Sequence, residues 1–557
     1  MKRIILCVTV LLGCLITNGQ VTNGVPRSSS MKLNRNIPVV EMPSFDLKKL
    51  QAEDAINDLN SAKPFRFGHE FNVDLDLKNS GVIEKLPNGD QIWRITIKSP
   101  GAHTLNFIFD AFELADGAEV YLYNQDKSFT LGAYTSRMNN ENKSLGTWIA
   151  DGDTITIEYY IPAKVKGLGS FHIGSVIHGY RSVSNFEAHQ KRLNDSGDCN
   201  LDVNCSIGSD FDPLKNKLKK SVALILNNGS DWCTGTLINN TSNNKAPYLL
   251  TANHCSGNEA NWSFRFNWIS TNTVCATETS STDNGPSNYY TTSGSKVLAK
   301  NQESDFELIE ITGGLDNAWD LEWAGWDRSD NTPTYVVGIH HPSGDIMKVC
   351  RDDSGVTKIR QNAGGFTPEA ETWDITNAGL GWEQGVTEGG SSGSALFDQN
   401  GRIIGQLYGG DAACASTNDN DLHDYYGRFA TSWDFGTTSD TRLSDWLDPE
   451  NTGCIVLNML SEVNAGVIAC DTEIVKEPNK ETVLFPNPTK GELFVSNIGD
   501  DTLNYIVFTV LGKKVLQGAM NKGNNTIDLS VVASGVYFVQ IANSASNASF
   551  TKKIFVE

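Results

Sequence analysis

The sequence has 557 residues and a net charge of −21 at pH 7. A chain of this length has room for about three or four domains. With 39% hydrophobic and 9% aromatic residues, the chain can build packed cores, which excludes wholesale disorder. The negative charge argues against nucleic acid as a partner, because phosphate binding needs a basic surface. The acidity is concentrated in residues 194–450, which carry 16 Lys and Arg against 36 Asp and Glu.

The N-terminus is typical of a secretory signal peptide over residues 1–19. A basic pair precedes an apolar run over residues 4–16, and small residues follow up to Gly19. The apolar run is short for a bilayer span, which disfavours a membrane anchor. Residues 11–14 also resemble a bacterial lipoprotein box, although the apolar run continues beyond Cys14. We therefore expect an exported protein.

Residues 20–63 lack clear periodicity, apart from one possible helix near residues 47–60. Residues 64–185 contain short runs of alternating apolar and polar residues separated by turn residues, which predicts a β-sandwich. A polar joint follows, and its basic pair Lys191 and Arg192 would suit proteolytic processing. An ordinary exposed linker is the alternative interpretation of this joint.

Residues 194–452 form a second β-rich block, which includes a strong hairpin signal around Asn400 and Gly401. Residues 442–447 predict a short amphipathic helix. Residues 453–480 are interpreted as a linker, and residues 481–557 as a third, small β unit. The chain is therefore predicted to be mainly β.

The cysteines are confined to the central block once the signal peptide is set aside. Nine of the eleven lie between residues 199 and 470. Export and this confinement together predict disulfides there. The sequence contains no CxxC pair, so a structural zinc site has little support. Because nine is odd, at least one thiol stays free or is removed by processing.

Three segments of the central block carry the residue types that a serine nucleophile needs. His254 follows a predicted strand, Asp305 opens another, and Ser392 lies in a glycine-rich turn. A serine hydroxyl attacks only if a histidine takes its proton and a buried carboxylate holds the correct tautomer of that histidine. The chain order histidine, aspartate, serine is that of the chymotrypsin class. These residues are therefore our candidates for a catalytic triad.

The glycines around the candidate nucleophile serve a second purpose. They let the backbone N–H groups of Gly390 and Ser392 turn towards a developing oxyanion. Such donors are typically worth about 3–4 kcal/mol each. A disulfide between Cys233 and Cys255 would also pin the histidine loop to a neighbouring strand.

The motifs of residues 197–452 resemble trypsin-like serine proteases, and more closely the secreted bacterial lysyl endopeptidases. The resemblance implies a chymotrypsin-type double β-barrel with His254 as base, Asp305 as the residue that orients it, and Ser392 as nucleophile. It also implies that no cofactor is needed. The motifs that carry the resemblance are Thr251–Cys255, Ser304–Glu310, Trp323–Arg328, Gly338–Pro342, Gly390–Ser394, Gly405–Gly410 and Tyr426–Arg428.

The same resemblance implies a disulfide framework. The implied pairs are Cys199–Cys414, Cys205–Cys275 and Cys233–Cys255. Three cysteines have no place in that pattern: Cys350, Cys454 and Cys470. Two of these three could pair with each other, and the sequence does not indicate which two.

Two positions give different expectations for the substrate pocket. Val386 lies six residues before the serine, at the position that forms the floor of the substrate pocket in trypsin-like enzymes. A valine there would favour a substrate with an apolar residue before the cleaved bond. In lysyl endopeptidases the pocket acid lies after the nucleophile hairpin, and Asp424 matches that position. Such a carboxylate would bind a lysine ammonium through a charge-assisted hydrogen bond. The alternative is that Asp424 caps a turn or pairs with Arg428.

The edge strand that would pair with the substrate backbone contains Tyr408, Gly409 and Gly410. The family often has His-Gly-Gly here, so the pocket rim and the acceptance of arginine stay open. His340 and His341 could suggest a metal. We interpret them as structural and expect no metal site, because two adjacent side chains rarely face one ion.

The C-terminal unit resembles the sorting domain of type IX secretion substrates. The resemblance is carried by Phe485–Pro488, Gly491, Leu511–Lys514, Ser534–Val539 and Lys552–Val556. It implies that the type IX machinery is a partner, and that the chain crosses an outer membrane before release or surface attachment. A carbohydrate-binding module is the alternative.

The leading hypothesis is a secreted, monomeric serine endopeptidase that cuts polypeptides after lysine, with residues 20–193 as its propeptide. A broader trypsin-like enzyme that accepts lysine and arginine is the second hypothesis. A catalytically inactive adhesin on the same fold is the third.

Overall fold

The computed structural model describes residues 24–34, 36–58, 63–165, 167–181, 196–271, 273–275, 290–362, 368–375, 381–412, 414, 422–460, 470–471, 483–497, 503–510, 513–520, 523–543 and 549–557. The predicted signal peptide and the predicted processing residues Lys191 and Arg192 lie outside these residues. The chain divides into two compact units, Met1–Cys470 and Asp471–Glu557. Strands dominate both units, which confirms the mainly β fold class.

The N-terminal part of the first unit contains twelve strands and one α-helix among the described residues. They are β1 (Val39–Glu41), α1 (Leu47–Asn57), β2 (Phe65–Arg66), β3 (Gly68–Asp76), β4 (Val82–Lys85), β5 (Gln91–Lys98), β6 (Thr104–Glu113), β7 (Glu119–Asn124), β8 (Thr130–Tyr134), β9 (Leu145–Gly146), β10 (Ala150–Asp151), β11 (Thr154–Ile161) and β12 (Ser170–Gly179).

Eleven of these strands form two sheets. One has the order β1-β5-β11-β7-β8, with β4 also on β5, and the other has the order β10-β6-β12-β3, with β9 also on β6. Apolar side chains from both sheets, such as Ile95 and Phe107, are buried in one common core. This alternation of inward apolar residues is the pattern from which a sandwich was predicted.

The rest of the first unit contains strands β13 to β30 and, among the described residues, three short α-helices. They are β13 (Leu201–Asp202), α2 (Asp212–Leu218), β14 (Val222–Asn227), β15 (Asp231–Leu237), β16 (Tyr248–Ala252), β17 (Ser263–Phe266), β18 (Tyr290–Ser293), β19 (Ser295–Asn301), β20 (Phe306–Ile311), β21 (Gly325–Asp327), β22 (Val336–His340), β23 (Lys348–Asp352), β24 (Thr357–Gln361), β25 (Ala370–Ile375), β26 (Ala395–Asp398), β27 (Arg402–Gly410), β28 (Asp424–Arg428), α3 (Phe429–Asp434), α4 (Ser444–Leu447), β29 (Val456–Leu457) and β30 (Cys470–Asp471).

These strands build two large sheets. An eight-stranded sheet has the order β18-β17-β14-β15-β16-β20-β19, with β2 also on β15. An eleven-stranded sheet has the path β13-β23-β22-β26-β27-β21-β29-β30, and β28 extends from β27 to β25 and β24. The predicted hairpin is present, since β26 and β27 pair across a turn in which Gly401 has φ +72°. The predicted helix near residues 442–447 is confined to α4.

One strand of the N-terminal part does not join the sandwich. Strand β2 pairs antiparallel with β15, with Phe65 opposite Trp232 and Arg66 opposite Asp231. The next residue, Phe67, stacks on the Trp232 ring at a centroid distance of 4.5 Å. The N-terminal part is therefore joined to the eight-stranded sheet by both backbone pairing and aromatic packing.

The segment interpreted as a linker, residues 453–480, begins with packed structure. Leu457 and Leu460 are buried, and β29 pairs with β21. Burial of these apolar side chains stabilises the fold. The chain therefore remains packed against the eleven-stranded sheet at least as far as Leu460. A disulfide between Cys454 and Cys470 closes this segment.

The second unit contains two small sheets. They are formed by β31 (Val483–Phe485), β32 (Glu492–Asn497), β33 (Leu503–Thr509), β34 (Lys514–Met520), β35 (Gly523–Asp528), β36 (Gly535–Asn543) and β37 (Ser549–Val556). The sheet orders are β31-β32-β35 and β34-β33-β36-β37. A common apolar cluster, which includes Val495 and Val539, is buried between them. Within the described parts of both units, no helix combines the length and the apolar character that crossing a membrane requires.

Candidate active site

His254 lies just after β16, in a short 3-10 turn over Asn253–Cys255. A disulfide joins Cys255 to Cys233 in β15. Because β15 and β16 are themselves paired, the bond fixes both ends of the histidine loop to one sheet. The imidazole is thus held on a rigid scaffold, which suits a group that must transfer a proton at a fixed position.

Asp305 precedes β20 and adopts a left-handed backbone conformation, with φ +53°. Its carboxylate accepts a hydrogen bond from the His254 ring at Nδ1 (2.7 Å) and another from the His254 backbone N–H (2.9 Å). The Asp305 carbonyl oxygen also accepts a hydrogen bond from the N–H of Asn253 at 2.8 Å. This strained residue therefore orients the imidazole with Nδ1 protonated and Nε2 available as a base.

Burial raises the pKa of Asp305, and the nearby His254 ring and its hydrogen bonds oppose that rise. His254 Nε2 is buried, and it has no hydrogen-bond partner among the described residues. The buried Nε2 atoms of His340 and His341 also lack a partner among the described residues. The pairing of the other ring nitrogen with a carboxylate, that of Asp305, is what distinguishes His254 from those two histidines.

The turn that carries Ser392 rests on the strands that carry the histidine. Thr234 donates from its N–H to the Ser392 carbonyl oxygen (2.8 Å) and from its hydroxyl to the Gly390 carbonyl oxygen (2.9 Å). Gly393 has φ +82°, and a Cβ at this residue would overlap Thr251 Oγ1, three residues before His254. The structure therefore brings the candidate nucleophile turn and the histidine loop together.

The peptide between Gly389 and Gly390 has a defined direction. The Gly389 carbonyl oxygen accepts a hydrogen bond from the N–H of Ser343 at 2.5 Å. Because a trans peptide directs its C=O and N–H to opposite sides, the N–H of Gly390 points away from Ser343. A candidate oxyanion donor needs its N–H to point away from the rest of the turn in this way. The left-handed backbone conformation of Gly390, with φ +94°, is one that glycine adopts without strain.

Sequence reasoning gave no role to two residues that support this turn, Thr234, described above, and Glu388, and it did not predict that His340 contacts the turn. His340 Nδ1 is hydrogen-bonded to the hydroxyl of Ser391 at 2.7 Å, next to the candidate nucleophile. Burial lowers the pKa of His340 to about 3, so the ring is neutral. The adjacent His341 is likewise buried, and its pKa is also lowered to about 3. Both histidines pack as structural groups, and only the His-His pair in the sequence drew attention to them.

Glu388 links the nucleophile turn to the start of the second β block. Its Oε2 accepts hydrogen bonds from the N–H of Gly197 (2.8 Å) and from Asn200 Nδ2 (2.9 Å). A Cβ on Gly197 would come within 2.8 Å of the Glu388 carboxylate, so this close approach needs glycine. Burial raises the pKa of Glu388, and these donors oppose the rise. Hydrogen bonds from a segment nearly 200 residues earlier in the chain thus fix the position of the nucleophile turn.

Asp424 is buried at the start of β28. Its Oδ2 accepts hydrogen bonds from Trp382 Nε1 (2.7 Å) and Thr387 Oγ1 (2.6 Å). Burial raises the pKa of Asp424 to about 7, and those two donors oppose the rise. Arg428 pairs with Asp330 and Glu371, at 2.5 and 2.9 Å, rather than with Asp424. The described contacts thus disfavour the alternative in which Asp424 pairs with Arg428.

The surroundings of Asp424 are largely apolar. Val386 is buried in the same cluster as Trp382 and Tyr426, together with the free thiol of Cys350. Thr387, between Val386 and Glu388, ties this carboxylate directly to the nucleophile turn. A carboxylate in apolar surroundings is the kind of group that recognises a single buried cation.

The predicted edge strand is the end of β27. Gly409 and Gly410 pair with β28, and Gly410 lies opposite Asp424. A Cβ on Gly410 would lie 2.2 Å from the His423 carbonyl oxygen and 2.3 Å from Asp424 Oδ1, so this position needs glycine. The Tyr408 ring lies 6.3 Å from the His254 ring between centroids, and its hydroxyl donates to the carbonyl oxygen of Pro368. These residues therefore lie between the histidine and the buried carboxylate.

The structure contains four disulfides among its described residues. Three are the pairs that the resemblance implied, and the fourth joins two of the three cysteines whose pairing was left open. They are Cys199–Cys414, Cys205–Cys275, Cys233–Cys255 and Cys454–Cys470. No group of three or more His, Cys, Asp or Glu side chains in the described part of the chain could hold a metal ion.

Comparison with known families gives two matches. Residues 193–427 match the family model for the lysyl endopeptidase C-terminal domain. Residues 483–557 match the secretion system C-terminal sorting domain. Both similarities expected from the motifs are thereby confirmed. The second match indicates export by type IX secretion to the cell surface or the extracellular space.

A curated relative is the lysyl endopeptidase of Pseudomonas aeruginosa, which is 25% identical over 300 residues. The match covers 52% of this chain and 62% of that protein, so the chain spans less than two thirds of the length of its relative.

Partial likenesses to solved structures were also found. Deg5 aligns with a TM-score of 0.23 and 13% identity, over 40% of this chain and 90% of its own. The MamO protease domain from Magnetospirillum magneticum aligns with a TM-score of 0.24 and 12% identity, over 38% and 93%. The HtrA-type protease AlgW aligns with a TM-score of 0.25 and 14% identity, over 39% and 62%.

Proposed function

We propose that this chain is the precursor of a secreted serine endopeptidase that cuts polypeptides on the carboxyl side of lysine. The observation that carries the proposal is the 2.7 Å hydrogen bond from His254 Nδ1 to Asp305, beside the turn that holds Ser392. Ser392 attacks the substrate carbonyl while His254 Nε2 takes its proton. Asp305 holds the tautomer and stabilises the imidazolium that forms.

The rest of the reaction uses the same groups. The N–H groups of Gly390 and Ser392 stabilise the oxyanion, and His254 returns the proton to the leaving amine. The acyl-enzyme that remains is hydrolysed by water, which His254 activates in turn. No step needs a cofactor.

Lysine preference would come from Asp424. A lysine ammonium that enters the apolar pocket would form a charge-assisted hydrogen bond with this carboxylate. Backbone pairing with Tyr408, Gly409 and Gly410 would align the residues before the cleaved bond. An enzyme that also accepts arginine is the second candidate, because Tyr408 stands where the family often has histidine.

The flanking parts fit a precursor. Residues 20–193 would act as a propeptide, removed at Lys191 or Arg192, and the C-terminal domain would be recognised by the type IX machinery. If the enzyme prefers lysine, cleavage after Lys191 would be autocatalytic. The processed enzyme would then act as a monomer, released or held at the cell surface.

The test uses the processed, secreted protein and matched peptides that differ only in having lysine, arginine or norleucine before the cleaved bond. We expect cleavage after lysine and covalent labelling of Ser392 by a phosphonofluoridate, with neither in Ser392→Ala. Equal rates for lysine and arginine would favour the broader enzyme. Absence of both cleavage and labelling in a folded, processed protein would revive the inactive adhesin.

A further inference from the structure

One sheet of the N-terminal sandwich has a polar outer face that is covered rather than open to water. Ile95 and Ile97 of β5 are buried in the sandwich core. Because successive side chains of a strand alternate between the two faces, Arg94, Thr96 and Lys98 lie on the outer face. Arg94 and Thr96 are nevertheless only 5% and 8% exposed. Another part of the chain must therefore cover this face.

The cover is the N-terminal segment of the described chain, which is anchored to the sheet at two points. At the first point, the N–H of Ser28 donates to Glu158 (3.0 Å), and Lys127 Nζ donates to the Ser28 hydroxyl (3.1 Å). At the second point, the N–H of Thr96 donates to the Pro38 carbonyl oxygen (2.9 Å), just before β1 pairs with β5. The chain between these points therefore lies over the polar face.

A cavity of about 950 Å³ remains between this segment and the sheet. Above it, the Asn34 carbonyl oxygen accepts a hydrogen bond from Arg94 Nη2 (2.9 Å), and the N–H of Asn34 donates to Glu84 (3.1 Å). Met31 and Val39 belong to the wall that the segment supplies, and the polar face of the sheet forms the other wall. A cavity of this size suits a small organic molecule rather than a single ion.

The cavity is lined by cations. Within the described residues no Asp or Glu belongs to its lining, whereas four basic residues do, namely Lys32, Arg94, Lys98 and Lys127. Glu84 pairs with Arg94 at 3.2 Å, and Glu41 pairs with Lys98 at 3.1 Å. Glu158 lies opposite Arg94 on β11, but it already accepts a hydrogen bond from a backbone N–H and another from a tyrosine hydroxyl, both of 3.0 Å.

Three of the positively charged nitrogen donors are left for a ligand. No ion pair among the described residues includes Lys32 or Lys127, and Lys32 is exposed. The contacts of Lys127 are with serine hydroxyls and with the ring of Tyr123, whose centroid is 4.8 Å away. The third donor is Arg94 Nε, which is buried and has no hydrogen-bond partner in the described part of the chain. Leaving a buried donor unpaired is costly, and an acceptor in the cavity removes that cost.

We propose that this cavity binds a phosphate monoester, with the phosphate beside Arg94 and Lys127 and the uncharged body against the apolar side chains of the N-terminal segment. A phosphate monoester carries about −1.5 to −2 charges at neutral pH and has three strong acceptor oxygens, which matches the three donors. Arginine and lysine both bind phosphate well. The hydroxyls of Thr96 and Thr156, which lie 2.9 Å apart in the same wall, provide further polar contacts.

The proposed ligand contacts both walls of the cavity, so it ties the N-terminal segment to the sheet. A ligand that binds only the folded form stabilises that form by mass action. Occupation of the cavity therefore stabilises the sandwich of the uncleaved chain. Because the site lies within the N-terminal part, the inference does not depend on the proposed peptidase activity.

The test uses the chain from residue 20 onwards with Ser392→Ala, which prevents self-cleavage, and intact mass confirms that the chain is whole. Isothermal titration calorimetry compares glucose 6-phosphate with glucose. We expect one site per chain for the phosphate ester and none for glucose, with an affinity that falls as salt concentration rises. Equal binding of the two sugars would show that the phosphate is not recognised and would overturn the inference.

A lipid headgroup can carry the same phosphate chemistry, so a second arm uses vesicles of phosphatidylcholine with and without phosphatidic acid. Cosedimentation with the phosphatidic acid vesicles alone, without binding of glucose 6-phosphate, would support the site and assign its phosphate to a lipid. Failure to bind both glucose 6-phosphate and the phosphatidic acid vesicles would overturn the inference.

Lys32→Gln with Lys127→Gln removes the two ammonium groups that have no carboxylate partner, and it should weaken binding about tenfold. The matched control is Lys78→Gln with Lys164→Gln, which removes the same charge from two exposed lysines of the N-terminal part that lie outside the cavity. The control should keep the original affinity. Equal affinities of the two double variants would contradict the assigned site.

Hydrogen exchange locates the site without any substitution in the cavity. The ligand that binds should slow amide exchange in residues 24–34 and in β5, because it holds the segment against that strand. Exchange in β3, which belongs to the other sheet of the sandwich, should stay the same. Slowing that spares residues 24–34 and β5 would place the ligand elsewhere and overturn the inference.

Discussion

Asp305 accepts two hydrogen bonds from the same residue, one from the ring of His254 and one from its backbone N–H. The pair fixes both the position and the tautomer of the imidazole. Asp305→Asn keeps the shape but presents an amide, which favours the wrong tautomer. We expect kcat to fall by about 10⁴-fold with little change in KM. Circular dichroism should show an intact fold, and a loss of less than about tenfold would contradict the assigned role.

The pH dependence of lysine recognition should follow Asp424. Burial raises its pKa to about 7, so the carboxyl is mostly neutral below that pH and ionised above it. Only the ionised form can pair with an ammonium. The ratio of kcat/KM for a lysine ester to that for a norleucine ester should therefore rise as pH increases through about 7. Taking the ratio cancels any effect of pH on the chemical steps that the two esters share.

Asp424→Asn provides the control for that profile. The asparagine retains hydrogen-bonding atoms but cannot ionise, so the ratio should become low and independent of pH. A variant that kept both the preference for lysine and the rise through neutral pH would show that another group binds the ammonium.

Glu388 should act as a positioning residue for the nucleophile turn. Glu388→Ala removes the acceptor for Gly197 and Asn200 and lets the turn shift. Small displacements of catalytic groups are costly, so we expect kcat to fall about 10- to 100-fold with KM nearly unchanged. Glu388→Gln keeps an acceptor oxygen and should recover much of the loss.

The matched control is Glu383→Ala in the same segment, whose carboxylate accepts the N–H of Asp353 at the surface. It should leave kcat unchanged. A purely structural role of Glu388 would lower thermal stability in both Glu388 variants while sparing kcat in the folded fraction, and that result would contradict the prediction.

Gly393 should not tolerate a side chain. Its φ is +82°, and a Cβ would overlap Thr251 Oγ1 and the backbone of β15. Gly393→Ala should lower the free energy of unfolding by about 2–4 kcal/mol, from strain and overpacking combined. Gly401→Ala isolates the strain, since φ is +72° there and the nearest atom is a flexible leucine carbon at 3.1 Å. Chemical denaturation of both variants should show the smaller loss in the free energy of unfolding, about 1 kcal/mol, for Gly401→Ala.

Local patterns in the sequence were sufficient to predict strands and to select His254, Asp305 and Ser392, because each lies in a short motif whose residue types suggest a role. Thr234 and Glu388 lie in no such motif. Their contacts with Ser392, Gly390 and Gly197 depend on which strands become neighbours, and alternation of apolar residues does not reveal a partner strand. Strand β2 illustrates the same limit, since it lies within residues 64–185, for which a sandwich was predicted, and yet it pairs with β15 of the second block.

The disulfide between Cys454 and Cys470 has a consequence for how the tail can be shed. It closes a covalent loop immediately before the second unit, which begins at Asp471. A single peptide-bond cut inside that loop would leave both fragments joined through sulfur. A nicked molecule would therefore migrate as two bands only after reduction. Clean separation in an oxidising medium requires a cut outside the loop, and a cut beyond Cys470 also leaves the buried Leu457 and Leu460 with the first unit.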